Sequence, residues 1–215
     1  MLINMGFKVN PIESGSRKFP ITAFPGARFQ LIMSGSQTDY RYRLVSNPGG
    51  GVSIDQNGMV KLNSKPSGNV TARAILIRDE RVKFDYTFNP TTVWANPVKD
   101  FFNTRRIALQ QCDINNLLSY KVLTNAPITH GLNHGMVINN GFTRSIGERL
   151  FPEWGYTLRQ SYPDLNWADR DNDRYWTKNY YDQSDYGNVI DVNAGYGHVG
   201  VDCDLGGCSY FLVCQ

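Results

Sequence analysis

At 215 residues the chain is long for one ordinary domain and suits two, each large enough to bury its own core. Its net charge of +3 hides a division: residues 1–99 hold 13 Lys/Arg against 6 Asp/Glu, and residues 100–215 hold 9 against 13. The basic residues of the first half alternate singly with apolar ones, as on a solvated strand face, which argues against a nucleic-acid partner, and no run of about 18 apolar residues exists to span a membrane as a helix.

From Phe7 to Phe88, short alternating segments are separated by turn residues, the spacing of an all-β sandwich. The predicted strands are Phe7–Ile12, Phe19–Phe24, Arg28–Ser34, Tyr40–Ser46, Val52–Asp55, Met59–Asn63, Val70–Arg78 and Val82–Phe88. In the last, Val82, Phe84, Tyr86 and Phe88 face one way and Lys83, Asp85 and Thr87 the other. Asn57-Gly58 predicts a hairpin, because both residues tolerate positive φ. At the junction, Pro90 and Pro97 bracket Trp94 without the Gly and Ser of a flexible linker. Trp94 is expected to pack between two domains and stiffen them into a rod. Thr104–Cys112 predicts a short helix, with Ile107, Ala108 and Cys112 near one face. Arg144–Phe151 predicts a second, with Ser145 and Glu148 as a capping box and Pro152 as its stop. Beyond Trp154 the pattern predicts only strands, turns and long loops.

All four cysteines, Cys112, Cys203, Cys208 and Cys214, lie in the second half. An even number allows three pairings, among which sequence alone does not choose. No CxxC pair occurs and the histidines are not spaced with the cysteines, so no zinc site is expected. Oxidised cysteines imply a secreted, periplasmic or surface location. No secretion signal follows Met1-Leu2-Ile3-Asn4-Met5-Gly6, so the chain reads as a fragment of a larger exported protein, with Gln215 a natural end.

Two family resemblances emerge. Leu44-Val45-Ser46-Asn47, then Val52 to Leu62 (VSIDQNGMVKL), then Asn69-Val70-Thr71-Ala72 resembles the S-N … V-S-V-D-x-N-G-x-V … I-T-A run of bacterial Ig-like (Big) domains, which act as rigid spacers. Residues 147–155 (GERLFPEWG), Tyr175-Trp176-Thr177 and the terminal Cys208–Gln215 run, ending in a cysteine after an apolar strand, resemble a C-type-lectin-like domain. That fold implies a Cys112–Cys214 bridge from first helix to last strand, leaving Cys203–Cys208, for which Gly206-Gly207 supply backbone freedom. Closing a loop of about 100 residues is worth up to ~4.7 kcal/mol in the chain-entropy model. The expected fold class is an all-β Ig-like sandwich over residues 1–95 followed by an α+β C-type-lectin-like domain over 96–215. In that order the two resemble the passenger tip of the intimin/invasin adhesins, the inverse autotransporters of Gram-negative bacteria. The resemblance implies an outer-membrane barrel upstream and a head that binds a receptor protein.

It also implies a lectin-like head without its calcium loop. Tyr162-Pro163-Asp164 and Trp167-Ala168-Asp169 only approximate the sugar-binding signatures, and they precede Trp176 rather than follow it. Asp169-Arg170-Asp171-Asn172-Asp173 opens like an EF-hand loop, but Arg174 stands where glycine is required and Tyr180 where a bidentate Glu belongs. No metal or cofactor is expected. Catalytic readings fail too: His130 and His134 lack the intervening Glu of a metalloprotease helix, and Ser209, drawn with Asp191 and His198, lacks a nucleophile elbow.

The functional weight falls on residues 156–187, where eight Tyr or Trp and six Asp mix with Arg159, Arg170 and Arg174. Such residues dominate binding hot spots. Tyr175, Trp176 and Trp154 are assigned to the core. Tyr162, Trp167, Tyr180, Tyr181 and Tyr186 are expected to be exposed and to bind a receptor, with Asp169, Arg170, Asp171 and Asp173 steering the encounter. Asp113 is a subsidiary candidate, near where an integrin-binding relative presents a carboxylate. The expected protein is a monomeric bacterial surface adhesin tip, an exposed passenger that does not itself enter the membrane. Its expected partner is a host cell-surface or serum protein: an integrin, an immunoglobulin or another glycoprotein. The alternatives are a glycan-binding lectin and a structural stalk end without ligand.

Overall fold

In the computed structural model, residues 5–9, 12–14, 19–127, 141–155, 158–168, 173–180, 188–203 and 208–215 are described. They form two units, Met1–Trp94 and Ala95–Gln215, in which strand outweighs helix.

The first unit contains β1 (Met5–Val9), β2 (Ile12–Ser14), β3 (Thr22–Ala23), β4 (Ala27–Met33), β5 (Tyr40–Ser46), β6 (Val52–Ile54), β7 (Met59–Leu62), β8 (Val70–Leu76), β9 (Lys83–Phe88) and β10 (Val93–Trp94). One antiparallel sheet runs β2-β1-β4-β7-β6, a second runs β5-β8-β9, and β3 pairs in parallel with β10. Alternation sets the core. Ala27, Phe29, Leu31 and Met33 of β4, and Val70, Ala72, Ala74 and Leu76 of β8, are buried, while the residues between them are half-exposed. Phe29 then meets Phe19 and Phe88 edge-on, at 5.0 and 5.4 Å between centroids. On β9 the predicted division holds: Tyr86 and Phe88 are buried, and Lys83, Asp85 and Thr87 are exposed.

Two local predictions change. The strand predicted over Phe19–Phe24 contracts to Thr22–Ala23, and Pro25-Gly26 turns the chain just beyond it: Ala27 N–H donates to the Phe24 carbonyl at 3.1 Å, and Gly26 takes φ 86°. The hairpin between β6 and β7 forms, but Asn57 keeps negative φ and only Gly58 crosses over, at 76°. Gly58 N–H donates to the Asp55 carbonyl, and the Asp55 carboxylate accepts from the Asn57 and Met59 amides at 2.8 Å. The loop is thus a turn closed by a left-handed glycine rather than a two-residue turn.

The second unit contains β11 (Asn96–Pro97), α1 (Arg105–Gln111), α2 (Tyr120–Leu123), α3 (Leu150–Trp154), α4 (Leu158–Ser161), β12 (Arg174–Tyr180), β13 (Asn188–Asn193), β14 (Val199–Cys203) and β15 (Val213–Cys214). β12, β13 and β14 form an antiparallel meander, and β15 pairs with β11. The helix predicted over Thr104–Cys112 is α1, with Thr104 and Cys112 as its caps. Cys112 is bonded to Cys214, with a Cα–Cα distance of 6.0 Å across a separation of 102 residues. Around that bridge Phe101, Ala108, Leu117, Trp176, Val189 and Leu212 make one core cluster. The side chain of Cys203 lies outside the described residues.

The second predicted helix is displaced from Arg144–Phe151 to Leu150–Trp154. Gly147 at φ 79° interrupts the expected run, and no capping box forms between Ser145 and Glu148. Pro152 is the third residue of α3, in the first turn, where its missing N–H has no intrahelical acceptor to lose. Gly155 at φ 108° ends the helix. The short α4 also falls in a stretch expected to hold only strands and loops.

Candidate functional site

Tyr162 and Trp167, expected at the surface, are instead 3% and 2% exposed. They belong to an aromatic core: Trp154 lies 6.3 Å from Tyr162, and Phe151 and Tyr175 lie 6.5 and 6.1 Å from Trp167. α4 turns Tyr162 inward, with its N–H donating to the Leu158 carbonyl at 2.8 Å. The irregular segment after it is held by Arg159, whose Nη1 donates to the Leu165 carbonyl at 3.0 Å. Polar flanks and the lack of a period hid this burial, since a loop can insert aromatic side chains at any spacing. Both residues are therefore corrected from contact residues to core residues. Tyr175, Trp176 and Trp154 are buried as expected.

Arg174, read as part of a binding surface, forms an ion pair with the fully buried Asp191. Gly200 packs against both, so close that a Cβ there would overlap them. Asp191 is thereby committed to a structural pair. Asp173 is half-exposed at the start of β12, its carbonyl accepting from Ala194 N–H at 2.7 Å. Asp169, Arg170, Asp171, Tyr181 and Tyr186 lie outside the described residues.

Of the expected contact aromatics that are described, Tyr180 alone is presented outward, at 49% exposure on the end of β12. No residue pattern pointed to what holds it. Arg105, the first residue of α1, is 1% exposed and donates from Nη1 to Tyr180 Oη at 2.6 Å, its guanidinium carbon lying 4.4 Å from the ring centroid. A charged residue opening a helix reads as solvated, which is why Arg105 escaped notice. Beside Tyr180, Asn179 Oδ1 accepts from Ser119 Oγ at 2.8 Å and from Tyr120 N–H at 3.1 Å. Lys178 N–H donates to the Leu118 carbonyl at 3.1 Å. The end of β12 and the start of α2 are thus locked together as a surface carrying Tyr180, Tyr120, Lys121 and Lys178. Such a surface offers rigid aromatic area with polar ends, suited to recognition.

Asp113 is exposed in the loop after the disulfide, its Oδ1 accepting from Asn115 N–H and Nδ2, both at 2.8 Å. The chain terminus braces that loop, with Gln215 N–H donating to the Asn116 carbonyl at 2.7 Å. Among the described residues no group of His, Cys, Asp or Glu is arranged to hold a metal, and no helix is long and apolar enough to cross a membrane.

Residues 6–88 match the family model described as invasin, domain 4. No curated protein matches the chain significantly. Among solved structures, invasin, described as a bacterial integrin-binding protein, shares 21% identity at a TM-score of 0.72, covering 99% of this chain and 39% of its own. A C-terminal 282-residue fragment of intimin, solved in complex with the intimin-binding domain of the translocated intimin receptor (Tir), shares 16% identity at a TM-score of 0.63, covering 98% of this chain and 63% of its own. An intimin mutant from EHEC O157:H7 shares 16% identity at a TM-score of 0.55, covering 99% and 98%. At these identities the structural likeness is one of fold, and the chain spans about two fifths of the invasin chain.

Proposed function

We propose that this chain, a member of the intimin/invasin family by its domain 4 match and its fold, is the receptor-binding tip of a bacterial surface adhesin. Its first unit acts as an Ig-like spacer, and its second as a C-type-lectin-like head that binds a host protein without calcium and without catalysis. The protein is monomeric, is displayed as the passenger of an outer-membrane protein, and takes a host cell-surface or serum protein as partner.

One observation carries this reading: the strand Val213–Cys214 is sewn to α1 by Cys112–Cys214, making the second unit a closed module. The fold likeness to invasin and to receptor-bound intimin supports the same reading. Contact is assigned to Asp169, Arg170, Asp171, Asp173, Tyr180, Tyr181 and Tyr186, and the second bridge to Cys203–Cys208. Tyr162 and Trp167 are removed from the contact set by their burial.

Capture of host surface and serum proteins by the wild-type chain and by a Tyr180→Ala/Tyr181→Ala variant tests it. Capture of a defined protein that the variant loses supports the reading. Undiminished capture by the variant overturns the site. Binding abolished by EDTA and directed to a glycan supports a lectin instead, and no capture at all supports a stalk end.

A further inference from the structure

The outward face of the β5-β8-β9 sheet carries charges that the fold does not require. Register sets Arg41, Ile75 and Lys83 in one rung and Arg43, Arg73 and Asp85 in the next. Two-residue spacing puts both rungs on one face. Arg41 is paired with Glu80, and Arg73 holds Asp85 with two hydrogen bonds of 2.6 and 2.7 Å. Four cations thus meet two carboxylates, and among the described residues no carboxylate lies within ion-pair distance of Arg43 or Lys83.

Arg43 stands directly across from Arg73, and like charges so placed destabilise a sheet. Arg41, Tyr42, Arg43, Ile75, Glu80 and Lys83 line a depression of about 410 Å³. Tyr42, between Arg41 and Arg43 on the strand, turns its ring to the opposite face, where it packs with Tyr40 and Ala74.

We propose that this face binds a linear sulfated polysaccharide. Arg43 and Arg73 stand one strand apart, roughly 4.8 Å, Arg41 and Arg43 two residues apart along one strand, roughly 6.8 Å, and Lys83 two strands from Arg41, roughly 9.6 Å, a spread of cations that fits an anion repeating along a polymer. Ile75 gives the depression an apolar floor against which a sugar ring can lie. Tyr42 is half-buried and leaves no aromatic platform for stacking bases, which disfavours nucleic acid. The 13 to 6 excess of basic residues over residues 1–99 adds long-range attraction. This attachment is independent of the receptor reading, because it uses the other unit.

The test is retention of the full chain on an immobilised heparin-type sulfated oligosaccharide, against a desulfated control and duplex DNA. Wild-type chain should be retained at roughly 0.15 M salt. Arg43→Glu/Lys83→Glu should bind at least about tenfold more weakly, while Lys61→Glu/Lys65→Glu, the same charge change on β7 and the loop after it, should bind like wild type. Thermal midpoints establish that each variant folds, and Arg43→Gln/Lys83→Gln gives the same reading should the reversal fail to. Equal loss in both pairs, no retention at that salt, equal binding to the desulfated chain, or tighter binding to DNA overturns the proposal.

Discussion

Arg105 lies almost wholly buried beneath the exposed ring of Tyr180, touching it both through a 2.6 Å hydrogen bond and through its guanidinium 4.4 Å from the ring centre. The ring is fixed from below while its outer side stays open to a partner. Tyr180→Ala should weaken receptor binding roughly tenfold with little change in melting temperature. Arg105→Ala should weaken it comparably and cost about 2 kcal/mol of stability besides. Surface plasmon resonance with parallel urea melts separates the two effects. Equal affinity for wild type and Tyr180→Ala would remove Tyr180 from the interface.

Trp167 should behave as a core residue. Trp167→Ala is expected to cost about 3–5 kcal/mol, visible as a large fall in the urea midpoint. A stable Trp167→Ala protein with reduced binding would restore the surface role that its 2% exposure denies.

Loss of the Cys112–Cys214 bridge by Cys112→Ser/Cys214→Ser should destabilise the second unit by about 2–5 kcal/mol. Calorimetry with and without reductant checks this, since reductant should lower the wild-type transition by more than that of the variant, which keeps only the proposed Cys203–Cys208 bridge.

The Asp85 carboxyl is held below its ordinary 3.8, first by its hydrogen bond to Arg73 and less by the nearby charges of Arg73, Arg43 and Lys83. A depressed folded value means that the stabilisation is present above the unfolded value and is lost as pH falls through the folded one. Acidification below about pH 4 should therefore lower the melting temperature of wild type more than that of Asp85→Asn. Parallel acid-side slopes would show that the pair contributes nothing.

Gly200→Ala should disrupt the Arg174–Asp191 pair, because the added methyl would occupy the space of both side chains. Stranding a buried charge costs about 3 kcal/mol or more, so the variant should unfold at markedly lower urea concentration.

What the sequence revealed follows physical periodicity. The alternation of Val82 to Phe88 and the one-faced run of Ile107, Ala108 and Cys112 were legible because strands and helices repeat, and β9 and α1 fall there. Legibility failed where the chain stops repeating. Pro152 read as a stop signal, yet it lies in the first turn of the helix that follows, while Gly147, read as helix interior, is where the expected run is cut. Tyr162 and Trp167 enter the core from α4 and an aperiodic loop, and Arg105 is buried despite its charge, both consequences of tertiary packing. Arg174 likewise looked available until the fold set it against Asp191.

The same cross-link that closes the second unit also limits how it yields to a pull. A pull applied between residue 95 and the terminal strand can draw out only residues 96–111 before the load reaches a covalent bond. That slack is roughly 55 Å of extended chain, after which the chain between the two cysteines carries none of that load.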